Sequence, residues 1–185
     1  MTCALVCYAN GSEDLEVTAA ADILARGGVQ VVKAAVVEEG LTVTLAHGTQ
    51  VVCDANIADC KDQYDVIVIP GGLQGAENCR DCPILLQLLQ KQQAGGRYIA
   101  AICAAPGFVL AHHGIITDKV KATGYPGCAD NIKCYCEDGA VVDEDAKIIT
   151  GKGPAFAMDF AFKILDCLQG PAVTAQVKQG MLYQG

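Results

Sequence analysis

Apolar and polar positions fall into short alternating blocks along this chain. Residues 3–9 form a continuous apolar run that ends at Asn10-Gly11-Ser12, which reads as a buried strand followed by a turn. Residues 13–26 read as a helix closed by Gly27-Gly28, with Ser12 as N-cap and acidic residues in the first turn. Residues 29–37 read as the next strand, and 41–45 and 51–55 as short strands around His47-Gly48. The run 65–70 (Asp-Val-Ile-Val-Ile-Pro) has the pattern of a strand covered on both faces and leads into Gly71-Gly72. A helix is expected over 83–94, with Pro at its start and Gly95-Gly96 at its end. A strand over 98–102 follows, then a helix-compatible run over 108–113. Residues 140–142 and 147–150 bracket Asp143-Glu144-Asp145 as a β-hairpin, and 155–168 form an amphipathic helix closed by Gly170-Pro171. This β-α-β order predicts an α/β fold, a doubly wound and mostly parallel sheet with helices on both faces. Sites in such sheets lie beyond the C-terminal strand ends. Three loops are expected there: 11–16, 71–75 and 103–107.

Composition narrows the function. The 185 residues fit one domain, 1–185. A formal net charge of −8, with no Lys/Arg cluster to offset it, argues against a nucleic-acid surface. No apolar stretch is long enough to span a bilayer, so no membrane role is expected. No basic segment precedes the first strand, so a cytoplasmic protein is the expectation. Eleven cysteines in irregular spacing do not form a disulfide framework. Most are expected to be reduced, with Cys3 and Cys7 filling the core from one face of the first strand.

Cys103 carries the strongest chemical signal. The apolar run 98–102 ends in this cysteine, small residues (Ala104, Ala105, Gly107) follow, and a helix-compatible stretch comes next. That is the pattern of a nucleophile elbow with a thiol in place of a hydroxyl. A helix N-terminus beneath the bend favours thiolate, whereas a buried structural cysteine would fit the same residues. Glu16 lies in the early turns of the first helix, either complementing its dipole or, kept protonated, giving a hydrogen bond to a thiolate. Gly71-Gly72 exposes backbone N–H groups that can hold an oxyanion, or simply makes a tight turn. No dinucleotide fingerprint or P-loop is present. Cys79-Arg-Asp-Cys82 and Cys134-Tyr-Cys136 are not spaced as a zinc knuckle, so no metal is expected. His112 and His113 stand before Gly114 and complement a helix end.

The segments Gly11-Ser-Glu-Asp-Leu-Glu16, Ile69-Pro-Gly-Gly72, Gly75-Ala-Glu-Asn78, Ala100-Ala-Ile-Cys-Ala-Ala-Pro106 and Gly153-Pro154 occur in this order. The chain thereby resembles the ThiJ/PfpI superfamily over nearly its whole length, and most closely the branch with the parkinsonism-linked protein deglycase and its bacterial relatives. The resemblance implies a flavodoxin-like homodimer with its site near the subunit interface. It implies that Cys103 is a low-pKa, oxidation-sensitive nucleophile and Glu16 its protonated partner, with the N–H groups of Gly72 and Ala104 forming an anion pocket. Gly71, Tyr125, Pro126, His47, Gly153 and Pro154 would line that pocket. Ala104 stands where protease-like members have a histidine, Tyr125 where some members have a pocket histidine, and His47 where close relatives have an arginine that reaches the neighbouring subunit. The implied activity is cofactor-independent glyoxalase or deglycase chemistry on methylglyoxal, glyoxal or early glycation adducts of proteins. The competing readings are a redox sensor or stress chaperone, and, disfavoured by Ala104, a hydrolase or amidase.

Overall fold

The computed structural model describes residues 1–60 and 63–184. Its centre is a seven-stranded sheet. In chain order the strands are β1 (Cys3–Ala9), β2 (Gln30–Val36), β5 (Ala55–Asn56), β6 (Val66–Ile69), β7 (Tyr98–Ile102), β10 (Ala140–Asp143) and β11 (Ile148–Gly151). Their spatial order is β10-β11-β7-β6-β1-β2-β5, parallel except where β10 meets β11. Strands β3 (Thr42–Thr44) and β4 (Gln50–Val52) make a separate hairpin, and β8 (Lys121–Ala122) pairs with β9 (Cys134–Tyr135).

Period-two alternation divides the core into two layers. In β1, Leu5, Cys7 and Ala9 face a layer closed by helices α2 (Leu73–Arg80) and α3 (Pro83–Ala94). Ala4, Val6 and Tyr8 face the other layer, closed by α1 (Asp14–Arg26) and α4 (Ala157–Gln169). Cys3 packs in the same layer as Cys7, as the alternation requires. Burial on both faces explains why β6 reads as an unbroken apolar run.

Several local expectations are corrected. Glu13, not Ser12, caps α1: its carboxylate accepts from the Glu16 N–H at 2.8 Å, while the Ser12 hydroxyl turns back to accept from Ala9 N–H at 3.0 Å. The strand expected over 51–55 is two strands in different sheets. After β4 the Asp54 N–H reaches Lys33 O at 2.9 Å, and β5 joins the main sheet beside β2. Gly71-Gly72 is not followed by a longer loop, since Gly72 is the N-cap of α2. The stretch after Cys103 winds as a π-helix over Pro106–Ala111. Gly170 does end α4, but Pro171 opens a further helix, α5 (Pro171–Gly180), from its first position, where a missing N–H costs nothing.

Candidate active site

The elbow begins where β7 runs out. Cys103 has φ +64°, a left-handed conformation that a side chain adopts at a cost of about 1–2 kcal/mol. The surrounding backbone over-determines it. The Cys103 N–H donates to Gly151 O at 2.9 Å, and the Tyr125 N–H donates to Cys103 O at 2.7 Å. Small residues let the chain close after the bend. A Cβ on Gly107 would sit 1.8 Å from the carbonyl oxygen of Cys128.

Glu16 reaches the same place from α1 and is fully buried. Its Oε2 accepts from the Gly71 N–H at 2.7 Å. Gly71 must be glycine, because a Cβ there would lie 2.5 Å from Cys103 Cβ, 2.8 Å from Glu16 Oε2 and 3.0 Å from Cys103 Sγ. Thiol and carboxyl therefore converge on one point. Gly72, at φ +76°, passes so close to Gly11 that a Cβ would meet its carbonyl oxygen at 2.2 Å. The turn into α1, the Gly71-Gly72 turn into α2 and the Cys103 bend thus meet beyond the C-terminal ends of β1, β6 and β7.

Burial pushes the Glu16 carboxyl up to about 7, and the charge of Glu13 pushes in the same direction. The Gly71 N–H and the Cys103 thiol oppose this by hydrogen bonding to the carboxylate. Glu16 is thus far more than a dipole complement on the surface. Cys103, almost buried, is pushed up to about 12 by burial and by the adjacent Glu16 charge, against N–H donation from Gly72 and Ala104. An independently acidic thiol is therefore not what this environment gives, because a second negative charge beside a Glu16 carboxylate is costly. A buried pair of this kind titrates as a unit and carries a single negative charge over a wide pH range. When the proton sits on Glu16, the charge rests on sulfur, where two backbone N–H groups already point.

The other expected residues divide into two groups. Tyr125 is half-exposed, with its ring over Gly153, where a Cβ would lie 3.4 Å away. Pro126 follows on the surface, and Pro154 opens a short 3-10 turn next to Gly153. Tyr125 and Gly153 thus meet beside the elbow, with Pro126 and Pro154 next to them in the chain. His47 does not join them. Its N–H donates to Asp14 Oδ2 at 2.9 Å and its ring Nδ1 lies 3.2 Å from the same oxygen, which places it on the rim at the start of α1. Gly151, Thr150 and the backbone of Thr123, to which no motif points, shape the chain around Cys103.

No disulfide forms among the described residues. Cys79 is buried at the end of α2, whereas Cys134 and Cys136 lie at and beside β9. Among the described residues, no three His, Cys, Asp or Glu side chains cluster closely enough to hold a metal ion. No helix among them is long and apolar enough to cross a membrane.

Residues 2–167 match the DJ-1/PfpI family. The chain belongs to this family. It is 39% identical to protein dj-1beta of Drosophila melanogaster over 183 residues, covering 97% of this chain and 96% of that protein. It is 36% identical over 173 residues to a Caenorhabditis elegans protein named glutathione-independent glyoxalase DJR-1.2, covering 88% and 86% of the two chains. The solved structure of oxidized Toxoplasma gondii DJ-1 superposes with a TM-score of 0.95 at 36% identity, over the full length of both chains. The flavodoxin-like α/β architecture is therefore that of the DJ-1 proteins, with the cysteine elbow at the end of β7.

Proposed function

We propose that this chain is a Cys103-dependent, cofactor-independent glyoxalase and protein deglycase acting on methylglyoxal, glyoxal or early glycation adducts. The observation that carries the reading is the buried Cys103–Glu16 pair, with one charge to share and the N–H groups of Gly72 and Ala104 at the sulfur. The glyoxalase name of the nematode relative supports it at the level of the family.

The Cys103 thiolate adds to the aldehyde carbon, and the resulting alkoxide takes the Glu16 proton to give a hemithioacetal. The Glu16 carboxylate then removes the proton from that carbon, and the electron pair forms an enediol with the neighbouring carbonyl. Return of the proton to the neighbouring carbon leaves a thioester. Water cleaves it to lactate from methylglyoxal, or glycolate from glyoxal, and frees Cys103. No external electron acceptor is needed, since one carbon is oxidised as its neighbour is reduced. On a hemithioacetal or hemiaminal adduct of a protein side chain, the Cys103 thiolate displaces the side-chain thiol or amine from the former aldehyde carbon, the departing group takes the Glu16 proton, and the hemithioacetal left on Cys103 follows the same course.

Tyr125, Pro126, Gly153 and Pro154 line the substrate pocket in this reading, with His47 on its rim. The family resemblance supports a homodimer of single-domain chains working in the cytoplasm. A second reading uses the same groups. Peroxide would oxidise the Cys103 thiolate to a sulfinate, held by the Glu16 carboxyl and the Gly72 N–H, and the protein would act as a redox sensor. The test is methylglyoxal turnover without added glutathione by wild type and Cys103→Ser. Thiol-independent turnover lost in the variant supports the enzyme, and its absence from wild type leaves the sensor.

A further inference from the structure

Cys103 sits in its left-handed conformation because two backbone hydrogen bonds clamp it, and one of them comes from a strap that has left its strand. Strand β8 ends at Ala122. From there residues 123–125 run along the elbow to Tyr125, whose N–H holds Cys103 O at 2.7 Å. The strap passes so close that a Cβ on Gly124 would lie 3.3 Å from that same carbonyl oxygen. Once out of β8, the Thr123 N–H needs another acceptor, because a buried backbone donor cannot be left without one. It finds the Thr150 hydroxyl at 2.9 Å, in a contact buried from solvent.

We propose that Thr150 is a positioning residue for the Cys103 nucleophile: its hydroxyl fixes the 123–125 strap on β11, and through Tyr125 the strap fixes the elbow. The choice of residue supports this. Thr150 is fully buried in β11, directly after Ile148 and Ile149. A third β-branched hydrocarbon would fill the position without burying a hydroxyl. The next residue, Gly151, supplies the other half of the clamp through its carbonyl oxygen. Thr150 and Gly151 together thus hold the carbonyl and the amide of Cys103 from one strand. Thr123 provides the contrast. Its own hydroxyl is buried with no hydrogen-bond partner among the described residues, so it is the Thr123 backbone, not its side chain, that the strap uses.

The proposal rests on the reading of Cys103 as a nucleophile that is thiolate near neutral pH. If the clamp loosens, the sulfur leaves the Gly72 and Ala104 N–H groups and the Glu16 carboxyl, and behaves as an ordinary thiol.

The test follows alkylation of Cys103 by iodoacetamide across pH, quantified by peptide mapping, together with methylglyoxal turnover. Thr150→Val should move the Cys103 alkylation midpoint up towards the ~8.5 of a free cysteine. It should also reduce turnover by about 10²-fold, the scale expected for a displacement of roughly 1 Å at a reacting centre. Thr150→Ser keeps the oxygen and should restore both, and Thr123→Val should behave as wild type. Wild-type alkylation and turnover in Thr150→Val would overturn the proposal. So would a loss in Thr123→Val as large as in Thr150→Val, which would mean that packing alone matters. Should Thr150→Val fail to fold, Thr150→Ser still decides. A Ser variant that alkylates like an ordinary thiol contradicts a role carried by the oxygen, and wild-type behaviour from Ser beside an unfolded Val upholds it. The wild-type midpoint separately tests the nucleophile reading, and the difference between variants tests the positioning.

Discussion

Cys103 and Cys79 are both thiols buried on the sheet, at the end of β7 and the end of α2, and burial pushes both up to about 12. What surrounds them differs. Beyond desolvation, the further influence on Cys79 is a neighbouring thiol, Cys82, and it packs in the apolar layer with Leu85 and Val109. Cys103 has two N–H donors on its sulfur and a carboxyl able to take its proton. Burial alone makes a thiol inert. Burial together with a proton acceptor and anion donors makes a site in which charge can move onto sulfur. The same contrast separates a structural cysteine from a nucleophile at the elbow, a choice that the sequence leaves open.

The sharpest way to break the comparison is to exchange the roles of the two thiols. Cys103→Ser should lose methylglyoxal turnover by about 10⁴-fold or more, as expected when a nucleophile acting within a unit is removed. Cys79→Ala should keep turnover within about twofold and lose about 1 kcal/mol of stability, on the scale of one buried group. Comparable losses in the two variants would erase the distinction.

Glu16→Ala comes next. A positioned acid-base group contributes about 10²–10⁴-fold, so turnover should fall by that much in a folded protein. A group that only complements the helix dipole would cost about 0.3–1 kcal/mol of stability and leave the rate nearly intact. Melting and turnover measured on one preparation separate the two.

A smaller effect is in stability against pH. Folding raises Glu16 from the ordinary 4.5 to about 7. Between these values the folded state binds more protons than the unfolded state, so stability falls as pH rises through the window. At ~1.36 kcal/mol per pH unit the gap corresponds to about 3 kcal/mol, all of it retained below 4.5 and lost above about 7. The difference in unfolding free energy between wild type and Glu16→Gln should carry this slope. A difference independent of pH would place Glu16 among ordinary exposed carboxylates.

Much of the frame was legible because it is local. The helix over Pro83–Ala94 and the strand over Tyr98–Ile102 follow from terminal signals and unbroken apolar runs, and their bounds are those of the sequence reading. The hairpin of β10 and β11 follows from its acidic turn. Other elements are set by distant partners. Helix α2 is short and contains Gly75 and Asn78, both weak helix formers. It forms where Gly75 packs on the backbone of Ser12 and Asn78 donates to Asn10 O at 2.8 Å. The break between β4 and β5 depends on Asp54 meeting Lys33 O across the sheet edge. At the site, the elbow, Glu16 and the two glycines could be found from their residue types. The pKa direction of Cys103 could not, because it depends on how close the Glu16 carboxyl lies in space. Thr150 gave no signal of its own, being one threonine in an apolar strand.

The central claim is that Cys103 and Glu16 share one charge and that sulfur holds it near neutral pH. Thiolate ultraviolet absorbance across pH, taken as the difference between wild type and Cys103→Ser, reads this directly. A thiolate step with its midpoint below the ~8.5 of a free cysteine is expected. A difference spectrum that stays flat until pH is well above the ~8.5 of a free cysteine would contradict it, leaving the charge on Glu16 and Cys103 as inert as Cys79.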